Sequence, residues 1–233
     1  MVEVVPDRVD SAFLYFHSAR SSSAEIVPYL DELRAELPHT YIWAGDGGVE
    51  GATHDPIMRH EVSYTPGPGA RRFWFVFPMQ GSSGDDFAAA IEPMGAVLAT
   101  SGAFVNAWAD QIMARFQLPT RRVVLCGHQH GSCVALAAAM MRRADPFALT
   151  VLFDPWPLEA LYLQHETNLP QTQVVCVDNL WIRAREESRG AHTPVYDVLR
   201  GYGMNASGVT LSTGEGKPDA AMFREAIRQV KNA

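Results

Sequence analysis

The sequence predicts an α/β protein built on a mostly parallel, doubly wound sheet of about seven strands. Short continuous apolar runs alternate with helical patterns along the whole chain, as expected of a parallel sheet covered on both faces. With 233 residues and 47 % hydrophobic content, the chain is large enough to bury that sheet in one domain, residues 1–233. A third observation is sharper. Near the middle, an apolar strand runs into a Gly-x-x-x-Gly turn and then an Ala-rich helix.

The predicted strands are residues 12–17, 40–44, 72–77, 122–126, 149–153, 173–177 and 209–212. Ile26, Leu30, Leu33 and Leu37 share one helical face, closed by Pro38. Ser21, Ser22 and Ser23 offer a cap for that helix. Phe104, Trp108, Ile112 and Phe116 form a second stripe, closed by Pro119. Residues 132–143 are Ala-rich and strongly helix-forming. Residues 218–230 form the last helix, with Pro218 placed in its first turn. Residues 45–70, rich in Gly and Pro, are too long for a plain turn and read as a loop or flap.

Composition excludes several function classes. The formal net charge is −7 and no basic stripe is present, so nucleic acid is not an expected partner. No apolar run approaches the ~20 residues a membrane span needs, and residues 1–10 do not read as a signal peptide. Cys126, Cys133 and Cys176 fit no zinc spacing and read as buried thiols, which places the protein in a reducing cytoplasm. No cofactor is expected. The Gly45–Gly48 stretch lacks the strand-then-helix spacing of a dinucleotide site, and His128 with His130 gives too few ligands for zinc.

The segment from Arg122 to Ala139 carries most of the functional information. Gly127-x-x-x-Gly131 between a strand and a helix is the setting of the G-x-S-x-G nucleophile elbow. The glycines give room where a Cβ would clash with a neighbouring strand or helix. The central residue, however, is Gln129. A carboxamide donates and accepts hydrogen bonds but has no ionisable nucleophile near neutral pH. Gln129 can hold a ligand, orient water or donate to an oxyanion; it cannot form an acyl-enzyme. Ser132 and Cys133, in the first helical turn, read as packing and capping residues. His128 and His130 flank the elbow, either lining a pocket or serving as a general base.

Taken together, these segments resemble the phospholipase/carboxylesterase branch of the α/β-hydrolases, which includes acyl-protein thioesterases. Phe13-Leu-Tyr-Phe-His17 with Ser18 and Ala19 resembles that branch's opening strand and His-Gly turn. Arg72-Phe-Trp-Phe75, Gly127–Gly131, the run from Thr150 to Leu158, and the run from Val209 to Gly216 match later segments in order. The resemblance implies a Ser–Asp–His triad, and all three positions differ here. The serine falls on Gln129, the acid register on Trp181, and the histidine on Lys217, Pro218 or Asp219, with no histidine after His192. Ser18 stands where the branch prefers glycine, although the backbone donor at Ala19 is kept. Asp154-Pro-Trp156 shows a weaker similarity to the acid of the platelet-activating-factor acetylhydrolase branch. Asp154 is therefore either that acid, with Lys217 as a partner in this register, or a turn cap before Pro155.

Trp156 and Trp181 follow strand ends, where they either wall an apolar pocket or pack half-buried. The ligand-binding candidates are thus Ser18, Ala19, Gln129, His130, Asp154, Trp156 and Trp181. Three functions follow. The first is a binding or regulatory module, without serine catalysis, for a small, partly apolar or ester-like ligand. The second is a non-covalent hydrolase or lyase using Gln129, His128 or His130, and Asp154. The third is a surface that binds a protein partner. Changes at all three triad positions favour the first.

Overall fold

The computed structural model describes residues 1–18, 21–46, 49–50, 72–73, 84–142, 144–155, 172–179, 194–211 and 218–233. Its main sheet has seven strands: β1 (Val2–Val4), β2 (Ser11–Phe16), β3 (Thr40–Gly45), β6 (Val123–His128), β7 (Leu149–Phe153), β8 (Gln173–Asn179) and β9 (Asn205–Leu211). Their order is β1-β3-β2-β6-β7-β8-β9. All neighbours run parallel except β1, which pairs antiparallel with β3 at the edge. The strand count matches the expectation, but its membership differs. β5 (Arg72–Phe73) pairs instead with β4 (Val49–Glu50) in a separate two-stranded ladder. The rest of the expected 72–77 strand, and most of the 45–70 loop, lie outside the described residues.

Alternation along the strands divides the core into two layers. Ala12, Leu14 and Phe16 of β2, with Tyr41 and Trp43 of β3, face α2 (Gly84–Phe116) and α3 (His130–Met141). Phe13, Tyr15, Ile42 and Ala44 point the other way, toward α1 (Leu30–Glu36) and α5 (Ala220–Asn232). A shorter helix, α4 (Val195–Gly201), precedes β9. α3 is buried on every side from His130 to Met140, which is why it is built largely of alanine. It packs so closely on α2 that a Cβ on Gly102 would lie 2.9 Å from the Ala137 carbonyl carbon.

Other expectations shift by small amounts. On α2 the buried positions are Leu98, Val105, Ala109 and Ile112; of the expected stripe, Ile112 is buried, Trp108 and Phe116 pack partly buried against the core, and Phe104 is exposed. A 3-10 helix, Ser23–Tyr29, precedes α1, and Ser22 caps it by accepting from the Ala24 N–H. Pro218 lies outside α5. Asp219 is the cap of that helix, its carboxylate accepting from the Met222 N–H at 3.0 Å. Tyr29 ties this end down, donating to the Pro218 carbonyl and stacking on Phe223 at 4.3 Å.

Pairing register places the functional corner. Phe16 lies opposite Gly127, His128 opposite Phe153, and Phe153 opposite Val177. The carboxyl ends of β2, β6, β7 and β8 therefore open side by side, where ligand sites form in sheets of this type.

Candidate functional site

Gln129 sits at a sharp turn between β6 and α3, with φ 47° and ψ −104°. Side chains rarely adopt this backbone, and the surroundings hold it there. The Gln129 N–H donates to the Phe153 carbonyl at 2.8 Å, and its carbonyl accepts from the Ser132 N–H at 3.0 Å. Both glycines of the motif are required for space. A Cβ on Gly127 would lie 2.3 Å from the Gly131 carbonyl oxygen, and one on Gly131 would lie 2.1 Å from that of Phe16. This is the geometry of a nucleophile elbow, carrying a carboxamide.

Two of the expected site residues touch one another. The Ser18 hydroxyl, in the turn after β2, donates to Gln129 Oε1 at 2.7 Å. His17 Nδ1 donates to the Ser18 carbonyl at 2.6 Å, which fixes that turn from the side of the buried imidazole. Ser132 and Cys133 stand behind the elbow. The Ser132 hydroxyl donates to the Gln129 carbonyl, and Cys133 Sγ lies 3.7 Å from the same oxygen. Both side chains serve the backbone of the turn.

Beneath the elbow lies a chain of buried polar groups. Glu25, in the first turn of the 3-10 helix, accepts on Oε2 from the Tyr15 hydroxyl at 2.7 Å and from the Ser18 N–H at 3.1 Å. Its Oε1 lies 3.3 Å from His128 Nδ1. His128 Nε2 lies 3.8 Å from Asp154 Oδ2, and both side chains are essentially inaccessible. The other oxygen, Asp154 Oδ1, accepts from the Asn179 N–H at 2.6 Å.

The electrostatics follow from burial and partners. Burial pushes the Glu25 carboxyl up, but His128, Tyr15 and the Ser18 N–H outweigh it and hold the group below the ordinary carboxylate range. Burial pushes Asp154 up and Asp219 adds to this, against the opposing pull of Asn179 and His128. Burial, reinforced by His17, drives His130 down to about 3, so its imidazole is neutral at physiological pH.

The expected site residues therefore divide. Ser18, Gln129, His128 and Asp154 are brought to one corner. His130 is fully buried in the first turn of α3, and Asp219 caps α5. Ala19, Trp156, Trp181 and Lys217 lie outside the described residues. Glu25 was missed by sequence reasoning. Its only trace is a lone acid three residues after Ser22, where it reads as a helix-start residue. Among the described residues no cluster of three His, Cys, Asp or Glu could hold a metal ion. No helix among them is long and apolar enough to cross a membrane.

No protein-family model and no curated protein matches the chain. Solved structures do. The chain is similar to esterase PE8, with 15 % identity over 99 % of this chain and 96 % of that one, at a TM-score of 0.68. It is similar to the Bacillus cereus carboxylesterase, with 12 % identity over 99 % and 92 %, at a TM-score of 0.65. It is also similar to Arabidopsis thaliana SOBER1, with 13 % identity over 96 % and 99 %, at a TM-score of 0.63. Likeness at this identity establishes the fold: the chain has the α/β-hydrolase fold.

Proposed function

We propose that this hydrolase-fold protein has given up serine catalysis and acts as a binding or regulatory module for a small, partly apolar, ester-like ligand at the elbow mouth. One observation carries the reading. The elbow backbone is kept in its strained form, but its side chain is a carboxamide whose oxygen accepts from Ser18 at 2.7 Å. A hydroxyl poised for attack needs a base beside it and a clear oxyanion turn; here a carboxamide stands in place of the hydroxyl and is gripped by the side chain of the turn after β2. What the turn retains is the start of α3 directly after Gln129, where the positive end of the helix favours a carbonyl oxygen. Cys126, Cys133 and Cys176, all buried and with no disulfide among the described residues, support a reducing, cytoplasmic setting.

The second reading, a non-covalent hydrolase or lyase step using Gln129, His128 or His130, and Asp154, draws support from the 3.8 Å approach of His128 to Asp154. Burial weighs against it. His128 and Asp154 are each 1 % exposed and His130 is fully buried, so none of the three meets bulk water or a ligand in this arrangement.

A thermal-shift screen of short acyl, carboxylate and lactone compounds tests the first reading, with Gln129→Leu as control. A ligand specific for the folded state stabilises it by about 2.7 kcal/mol at a hundredfold excess over Kd. Hits that lose their effect in the control are expected. Hits untouched by the substitution would put the ligand elsewhere, and an absence of hits would remove the binding reading.

A further inference from the structure

We propose that Glu25 is the positioning residue of the elbow mouth. One carboxylate oxygen holds the turn that carries Ser18 and the other holds His128; through Ser18 it orients the Gln129 carboxamide. The inference deepens the binding reading and rests on it for its functional consequence.

Glu25 reaches three segments of the chain. Its Oε2 takes the Tyr15 hydroxyl from within β2 and the Ser18 N–H from the turn that follows β2. Its Oε1 faces His128 Nδ1 at the last residue of β6, one position before Gln129. A single carboxylate therefore clamps the ends of two neighbouring strands, and those ends carry the two side chains that meet at 2.7 Å. The Glu25 side chain is 12 % exposed. A carboxylate that deep stays ionised only if its oxygens are engaged, and each oxygen here has a partner from a different segment. The same partners hold its carboxyl below the ordinary range.

The clamp also dictates the state of His128. A carboxylate accepts only, so the nitrogen facing it must carry a proton. His128 Nδ1 is then the donor, and Nε2 is turned toward Asp154 Oδ2 at 3.8 Å. Among the described residues neither of these two buried atoms has a hydrogen-bond partner. The imidazole is thus oriented by Glu25, at 3.3 Å, rather than by Asp154, at 3.8 Å.

Conservative and disruptive substitutions separate positioning from simple structural support. Glu25→Gln keeps a carbonyl oxygen for Tyr15 and Ser18 but turns an NH2 group toward His128 Nδ1. Its imidazole should then move its proton to Nε2. Nitrogen-detected imidazole spectra read this directly, and the side-chain amide signal of Gln129, assigned by its loss in Gln129→Leu, should stay in place. Glu25→Ala removes both oxygens, and the Gln129 amide signal should move to the position of a solvent-exposed carboxamide. If Glu25→Ala fails to fold, the His128 tautomer in Glu25→Gln decides alone. An unmoved tautomer in Glu25→Gln, or an unmoved Gln129 amide in folded Glu25→Ala, would overturn the proposal. Compounds bound by the parent should lose at least about tenfold in affinity to Glu25→Ala and less than about threefold to Glu25→Gln. A parent that binds none of them ends the binding reading, while the two spectra still judge the clamp.

Discussion

Gln129 follows β6 and Asp154 follows β7, and both residues hold a positive φ, 47° and 44°. The two turns use this backbone differently. At Gln129 the chain folds straight into α3 between two glycines, and a half-buried side chain meets Ser18 at the mouth. At Asp154 the side chain turns inward. Its N–H donates to the Val177 carbonyl at 3.0 Å, and its carboxylate takes the Asn179 N–H at 2.6 Å. Strained backbone at the end of a central strand therefore does not by itself mark a nucleophile position. The flanking glycines make an elbow, and buried hydrogen bonds make an anchor that ties β7 to β8.

The largest effect should come from breaking the elbow. Gly131→Ala would set a Cβ 2.1 Å from the Phe16 carbonyl oxygen, a backbone atom that cannot rotate away. We expect a loss of roughly 3 kcal/mol or more in urea-unfolding free energy, beyond the usual overpacking cost. An alanine tolerated without loss would remove the steric account of the motif.

Glycine placed at each of the two positive-φ residues sharpens the comparison. Asp154→Gly relieves the backbone but removes the buried carboxylate that accepts from the Asn179 N–H, a net loss of about 2 kcal/mol. Gln129→Gly relieves similar strain and gives up one half-buried hydrogen bond, so it should lie within about 1 kcal/mol of the parent. Equal losses at both sites would mean that the two turns play the same part.

Acid should expose a third difference, because the first turn of α3 carries a buried neutral imidazole. The His130 pKa of about 3 lies below the ~6.5 of an unfolded chain. As pH falls, the unfolded state takes up this proton first. The stability tied to His130 is thus complete above about pH 6.5 and declines until pH reaches about 3. By pH 5 the loss should be about 2 kcal/mol. The lowered Glu25 carboxyl loses its stabilising contribution as pH falls through and below the ordinary carboxylate range, and the raised Asp154 carboxyl acts in the opposite sense. Unfolding of the parent and of His130→Gln at pH 7 and pH 5 checks this. The variant should show a shallower fall, and equal slopes would contradict it.

Much of this corner was legible in the sequence, for physical reasons. Central strands such as β6 and β7 are buried on both faces and are therefore mainly apolar, and Gly127 and Gly131 admit no other residue. The edge was not legible. β1 has three residues, one of them the charged Glu3, because an outer strand has few buried positions to fill. Phe104 misled because Val105, beside it, takes the core position. Glu25 stayed hidden because its three partners, Tyr15, Ser18 and His128, lie up to 103 residues away, and only the folded sheet brings them together.

The central claim is that an intact elbow here carries no nucleophile, and covalent labelling tests it most directly. The protein is incubated with a fluorophosphonate probe and its intact mass is measured, followed by peptide mapping of residues 127–133. With Gln129 at the elbow, and with Ser132 hydrogen-bonded to the Gln129 carbonyl behind it, the mass should be unchanged. A stoichiometric adduct within that segment, on Ser132 above all, would contradict the account.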